Sequence, residues 1–380
     1  MRLNQRYVAL GREAMVSVAG RVLAAALVLC ALTSTTSALT ITDVMGRTIE
    51  LKAPAKRILL DPYSIFPALS LLNHDAADLV VGIGMLQQGE LFEADLALKN
   101  KPRLGWIVSQ TFSIEKSLDL DPDLLITTTA AAGKQKPLED ALAKAGVPIL
   151  FIDFAQNPAE NTVRSIEIIG KAIGEETKAA EFAAFYRERM KRITNRLASA
   201  RPERTKLLVT PRAPGWPCCY TMTKGGVASY FGGLGLENIA EGFGSGGNVQ
   251  LSLEYIIQKD PDVYIATDIW AGSQSLFGQP RSGERARAEL EKLRAEPGLR
   301  ELSAMRNGRL HLIDATLFRS SLNILAVENV ARWTHPELFG DVDPQATLDE
   351  INRRFAAKPI VGPFWASVDP AHDGAAGGAR

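Results

Sequence analysis

Short aliphatic runs alternate with amphipathic segments along most of this chain. The runs "RILL" from Arg57, "DLVVGI" from Asp78, "LLIT" from Leu124 and "PILFID" from Pro148 predict buried strands. So do "KLLVT" from Lys206, "VYIAT" from Val263 and "RLHLID" from Arg309. Helical patterns bounded by turn residues lie between several of them, such as "LEDALAKAGV" from Leu138. Strands alternating with helices imply parallel sheets covered on their faces. One segment breaks this rhythm. From Glu176 to Ala200 there is neither Gly nor Pro, and Phe182, Tyr186, Met190, Ile193 and Leu197 recur at helical spacing along one face. About 24 residues rising about 1.5 Å each span about 36 Å, the width of a small domain. Gly174 stops the helix before it, and Pro202 follows it. The pattern therefore predicts an α/β protein of two similar lobes with mostly parallel sheets, joined by a single long helix. A long surface helix within one domain is the alternative.

Two stretches read alike. "SIEKSLDLDPDLLI" from Ser113 and "SLEYIIQKDPDVYI" from Ser252 lie 139 residues apart and share six of fourteen positions. In each, a serine suits the helix N-cap and a glutamate falls in the first turn, where its charge favours the helix dipole. A proline then ends the helix, and an apolar strand follows. Each half thus contains the same helix–turn–strand unit. Taken singly, Glu115 or Glu254 is an ordinary helix-start acid. At equivalent places in both halves, they form a matched pair of exposed acids that two basic sockets on a symmetric partner would hold, steering its docking.

The N-terminus changes what counts as the working protein. Arg2, Arg6, Arg12 and Arg21 precede or border the apolar run "VLAAALVLCAL", and the small polar stretch "TSTTSA" follows. That order is a secretory signal over residues 1–38, with cleavage expected after Ala38. The run is shorter than the roughly 20 residues a membrane-spanning helix needs. Bulky Leu29 stands before Cys30 where a lipid-anchoring signal wants a small residue, so a soluble periplasmic protein is expected. The remaining 342 residues carry 39 basic and 42 acidic side chains. That is more chain than one core usually fills, and its slight acidity speaks against nucleic acid or anionic membrane as partners. The expected parts are a lobe over 39–174, the bridging helix over 175–201, a second lobe over 202–366 and a disordered, small and polar tail over 367–380.

Candidate chemistry is sparse. Cys218 and Cys219 are adjacent, so there is no ordinary disulfide framework; a vicinal disulfide and two free thiols both stay open. His74, His311, His335 and His372 are scattered, so no metal site and no cofactor are expected, with "PCCY" the weaker alternative as a soft-metal site. A GxSxG nucleophile elbow, a GxxxxGK phosphate loop and an HExxH motif are absent from the sequence. In open α/β sheets, ligands lie beyond the carboxyl ends of the strands. The residues just past the strand candidates include Asp61, Tyr63, Trp106, Thr128, Thr129, Arg212, Trp216, Tyr220, Asp268, Trp270, Phe318 and Arg319. From these, Tyr63, Trp106, Thr128, Arg212, Trp216, Tyr220, Trp270 and Arg319 are the expected ligand contacts. Three tryptophans in such loops suit an aromatic wall, although any one of them could serve lobe packing. Arg212 and Arg319 suit ligand carboxylates or the charge of a ferric chelate, with a solvated charge or an internal ion pair as the other reading.

The chain resembles the substrate-binding proteins that serve ABC importers of iron-siderophore, haem and cobalamin type. The resemblance runs from Ile41 to Phe364. It rests on "DVMGRTIELKAPAKRILL", "SIEKSLDLDPDLLI", "LAKAGVPILFID", the long helix and "SYFGGLGLENIA" before the second repeat. It implies a ligand cleft between two bridged lobes. It also implies that Glu115 and Glu254 dock on arginines of the two subunits of an inner-membrane permease. The expected function is therefore capture and delivery of a chelated iron compound by a monomeric receptor that is not an enzyme. A ferric siderophore is the favoured ligand, haem or cobalamin the alternative within the class. An exported two-lobed α/β enzyme is the alternative from another class.

Overall fold

The computed structural model describes residues 38–84, 98, 100–212, 219–223, 228, 230, 232–244, 248–268 and 282–369, with the side chains of Arg212 and Asn248 excepted. The N-terminal part opens with an antiparallel hairpin of β1 (Leu39–Thr42) and β2 (Thr48–Leu51). The buried Asp43 carboxylate closes its turn, accepting from the Met45 and Arg47 amides at 2.9 and 3.0 Å and pairing with the Arg47 guanidinium. A four-stranded sheet follows, formed by β3 (Ile58–Asp61), β4 (Val80–Ile83), β5 (Leu124–Thr128) and β6 (Ile149–Ile152). Its order is β4-β3-β5-β6 and every pairing is parallel. Near-continuous apolar runs suit such strands because both faces are covered.

The second sheet contains β7 (Thr205–Arg212), while β8 (Tyr220–Met222) pairs separately with β10 (Asn248–Gln250). β9 (Leu236–Asn238), β11 (Val263–Asp268), β12 (Leu310–Asp314) and β13 (Trp365–Ser367) complete the larger sheet, in the order β13-β12-β11-β7-β9. Only β13 runs antiparallel. Stripped of that edge strand, the order β9-β7-β11-β12 repeats β4-β3-β5-β6 strand for strand. The lobes are built alike, as the repeated stretch implied. All seven strand candidates form strands; the β1–β2 hairpin, the β8–β10 pair and the short β9 and β13 are additional.

The helices that matter here are α1 (Phe66–Leu72), α2 (Ile114–Asp119), α3 (Lys136–Lys144), α4 (Pro158–Ile173), α5 (Glu176–Ala200), α6 (Leu253–Lys259), α7 (Gly283–Arg294), α8 (Asn323–Thr334) and α9 (Pro344–Arg354). Alternate strand residues go to opposite faces. Leu59 and Leu125 meet Leu138 and Leu142 of α3, whereas Leu60 and Ile126 share a core with Leu69 of α1 and Ile169 of α4. In the other lobe, Leu208 and Leu312 meet Leu290 of α7. Val209 and Ile265 face α8 instead, in the same continuous core that holds Phe182 and Tyr186 of α5 and the buried face of α4. One core thus runs through both lobes by way of the bridging helix.

The repeated stretches have the same internal structure. Ser113 Oγ accepts from the Lys116 amide at 3.3 Å, and Ser252 Oγ from the Tyr255 amide at 3.2 Å. Asp121 and Asp260 both turn left-handed, at φ 45° and 42°. The second aspartate of each "DPD" holds the first strand of its own sheet. Asp123 accepts from the Lys56 and Arg57 amides at 2.7 and 3.0 Å, and Asp262 from the Lys206 amide at 2.8 Å.

The carboxyl half of α5 is fastened to the second lobe by charge. Arg189 donates from Nη1 to Glu328 Oε1 (3.3 Å) and Thr347 Oγ1 (2.8 Å), and from Nη2 to Glu350 Oε2 (2.5 Å). Arg192 lies 3.6 Å from the same Glu328 carboxylate, and Arg196 pairs with Asp341. Burial holds the Glu328 carboxyl above the ordinary carboxylate range, against the lowering pull of Thr347 and the two arginines. Arg189→Ala should therefore cost about 3 kcal/mol in urea unfolding, since it strips the main cation from a buried carboxylate. A raised native pKa means that the folded chain holds this proton longer than the unfolded one, so stability falls as pH rises through that pKa. In Arg189→Ala the deficit should therefore grow as pH rises above the ordinary carboxylate value. Adding Glu328→Gln should flatten that dependence.

Candidate functional site

The carboxyl edges of the two sheets lie close together. Asn323, in the first turn of α8 just after β12, accepts from Tyr186 OH at 2.8 Å and donates to Thr162 Oγ1 at 2.7 Å. Thr162 lies early in α4, just after β6. The segments leaving the last parallel strand of each sheet therefore touch, with the bridging helix between them. Burial pushes the Tyr186 phenol up to about 12, so it remains a proton donor at any physiological pH.

On the N-terminal side, Asp61 ends β3 fully buried and accepts from the Ile107 amide at 3.2 Å. That bond ties the strand end to the loop carrying Trp106. The loop is closed on itself, with the Trp106 amide donating to Thr111 Oγ1 (3.0 Å) and the Thr111 amide to the Trp106 carbonyl (3.1 Å). Trp106 and Thr128 are half-buried. Tyr63 is 1% exposed and packs in the core beside Phe66, at 6.4 Å between ring centroids. On the other side, Tyr220 is half-buried in β8, Arg319 is exposed after β12, and Phe318 is a core residue. The backbone of Arg212 ends β7 opposite Asp268. Trp216 and Trp270 lie outside the described residues. Cys219 takes part in a disulfide, which decides between the two states open for that residue.

Buried hydroxyls without a hydrogen-bond partner gather at these strand ends. They are Tyr63 OH, Thr127 Oγ1 and Thr129 Oγ1 in the first lobe, and Thr267 Oγ1 and Ser321 Oγ in the second. Buried hydroxyls left unpaired are costly, and a polar ligand in the cleft is one way to satisfy them. Among the described residues no cluster of His, Cys, Asp and Glu is arranged to hold a metal ion, and no helix is long and apolar enough to cross a membrane. Glu115 and Glu254 are exposed on the short helices α2 and α6, and neither pairs with a cation among the described residues. The sequence reading missed the Tyr186–Asn323–Thr162 connection. Its one signal was an asparagine opening the apolar run "NILAV".

Two α/β lobes of the same strand order, bridged by one helix and meeting at their carboxyl edges, define a two-lobed binding fold. Residues 64–317 match the periplasmic binding protein family, and the chain belongs to it. An ABC transporter substrate-binding lipoprotein of Bacillus subtilis, YvrC, is 24% identical over 305 residues, which cover 79% of this chain and 86% of the relative. A TroA-like periplasmic binding protein, FepB, from Veillonella parvula superposes with a TM-score of 0.77 at 24% identity, over 87% of this chain and all of that one. A periplasmic haem-binding protein from Pseudomonas aeruginosa gives a TM-score of 0.56 at 20% identity, over 83% of this chain and 98% of its own. The molybdate-binding MolA of Haemophilus influenzae gives 0.63 at 17%, over 83% and 97%.

Gly84, just past β4, marks how tightly this edge is built. A Cβ there would stand 2.1 Å from Asp61 Oδ1. Gly84→Ala should push Asp61 off the Ile107 amide and lower stability by about 2 kcal/mol, read by thermal unfolding.

Proposed function

We propose that this chain is an exported receptor that captures a chelated iron compound, a ferric siderophore, between its lobes and delivers it to an inner-membrane ABC permease dimer. The matched pair of acids carries the reading. Each lobe presents one exposed glutamate on an equivalent serine-capped helix, ahead of the equivalent strand of its own sheet. A receptor with like acids on two like lobes fits a partner made of two like halves, each offering a basic group. The order of basic, apolar and small residues over 1–38 supports export to the periplasm with removal of the leader.

The ligand reading rests on the side chains at the strand ends. Trp106 and Tyr220 offer aromatic surface, Thr128 and the unpaired hydroxyls offer polar anchors, and Arg319 offers a cation for an anionic chelate. Arg212, the last residue of β7, and Trp216 and Trp270, which follow β7 and β11 in the sequence, are assigned to the same cleft. Tyr63 contributes its hydroxyl from within the core. Haem is the second reading, favoured by the half-buried Tyr220 as a phenol able to reach iron, whereas Tyr63, the other phenol expected there, is packed in the core; cobalamin is the third. The mechanism is binding rather than bond-making: the ligand bridges the lobes, and α5 confines them to a small hinge.

The mature protein, residues 39–380, should show saturable quenching of tryptophan fluorescence by ferric siderophores in a panel that also holds haem and cobalamin. Quenching by haem or cobalamin alone moves the ligand within the class, and no response to any of them sinks the chelated-iron reading. A second expectation concerns delivery. Glu115→Ala combined with Glu254→Ala should leave ligand affinity intact and abolish uptake in cells; undiminished uptake would remove the docking role.

A further inference from the structure

Leu118 and Ile257 occupy equivalent positions of the two repeated stretches, and both side chains face solvent, at 37% and 45% exposure. Single exposed aliphatics need no explanation. This pair does, because each stands three residues after the exposed glutamate of its helix, on the neighbouring surface of the same turn. The residues just before them, Ser117 and Ile256, are the buried ones. Resting on the docking role of Glu115 and Glu254, we propose that each docking patch is an acid joined to an aliphatic anchor. The permease half it meets would then offer a basic side chain beside an apolar pocket sized for a branched aliphatic.

The patches differ in a way that divides their work. In α2, Glu115 and Asp119 lie one turn apart and flank Leu118, so this patch is an apolar knob between two acids. In α6 the residue matching Asp119 is Gln258, and more apolar surface is added. Phe243, 46% exposed, stands edge-on to Tyr255 at 4.9 Å between ring centroids. Successive helix residues are turned by about 100°. Glu254 therefore sits between the Phe243–Tyr255 pair on one side and Ile257 on the other. The first patch steers the encounter through charge, and the second holds the complex through buried apolar surface.

The test uses the full mature protein and the importer complex that it stimulates, reconstituted in nanodiscs, with association and dissociation followed by interferometry. Leu118→Ser with Ile257→Ser should leave association nearly unchanged and speed dissociation about tenfold or more, with Ile257→Ser alone giving most of it. Glu115→Gln with Glu254→Gln should slow association and flatten its dependence on salt. Both changes are at exposed sites, and unaltered melting curves will exclude misfolding. If the glutamate variant loses docking while the serine variant dissociates like the parent, the aliphatic anchor is wrong and the docking acids stand. If both variants behave like the parent, the docking reading itself fails and takes the anchor with it. Sedimentation supplies the last check: a parent dimer that Ile257→Ser dissociates would mean that a second copy of this chain covers the patch, which overturns the proposal.

Discussion

Asn323 has almost no contact with solvent, yet its amide joins three separate pieces of the chain. It accepts the Tyr186 hydroxyl proton on one side and donates to Thr162 on the other, linking α8, α5 and α4 at the point where the two sheets' carboxyl edges meet. A buried amide must keep such partners or lose the cost of its desolvation, so this junction resists being pulled apart. The Arg189 connections to Glu328, Thr347 and Glu350 fasten the other end of α5 to the second lobe. With one apolar core continuous through both lobes, the space at the strand ends is largely shaped before anything enters it. A ligand then loses little affinity to ordering the protein.

The repeated stretch was the most legible feature of the sequence, and the structure explains most of its identities without any partner. The serines cap helices, the first aspartates take a left-handed turn, and the second aspartates hold the amide groups that start β3 and β7. Two lobes folded on the same plan need the same solutions to the same local problems. Among the identical polar positions, the glutamates are the ones whose side chains make no hydrogen bond or ion pair in either copy among the described residues, whereas Asp260 at least binds Ser303. Their repetition is accordingly what points outward, and the remainder of the motif points inward.

Legibility ended where contacts became long-range. Strand positions and the bounds of α5 followed from local periodicity, and the placement of Trp106, Thr128 and Arg319 at strand ends followed from topology. Tyr63 also follows a strand, but the turn after β3 carries it into the core rather than to the surface. Nothing local in "DPYSIF" signals that. The Asp61–Ile107 bond joins residues 46 apart, beyond the reach of any pattern. Leu118 shows how a very short helix defeats binary patterning. In "SIEKSLD" the apolar residue would be expected inside and the serine outside, and the reverse holds: Ser117 is buried with its hydroxyl bonded to the Ser113 carbonyl, while Leu118 faces solvent. Only the second repeat, with Ile256 inside and Ile257 outside, makes the rule of that helix visible.

The loop carrying Trp106 and the helix carrying Glu115 are parts of one braced segment. The Leu104 amide donates to the Ile83 carbonyl at 2.9 Å, and the Ser113 amide, at the cap of α2, returns to the Leu104 carbonyl at 2.6 Å. Asp61 holds the middle of the loop at Ile107. In the second lobe, α6 is likewise fixed at both ends, by the Ser252 cap and by Asp260, whose carboxylate accepts from the Ser303 amide at 2.7 Å. Each of these two helices is therefore fixed within its own lobe, and reshaping either one would break several hydrogen bonds. The Tyr186–Asn323–Thr162 junction and the continuous core hold the two lobes, and with them the two acids, in one arrangement. In the proposed docking, Glu115 and Glu254 would therefore be offered as two preset contacts, with little ordering left to the encounter.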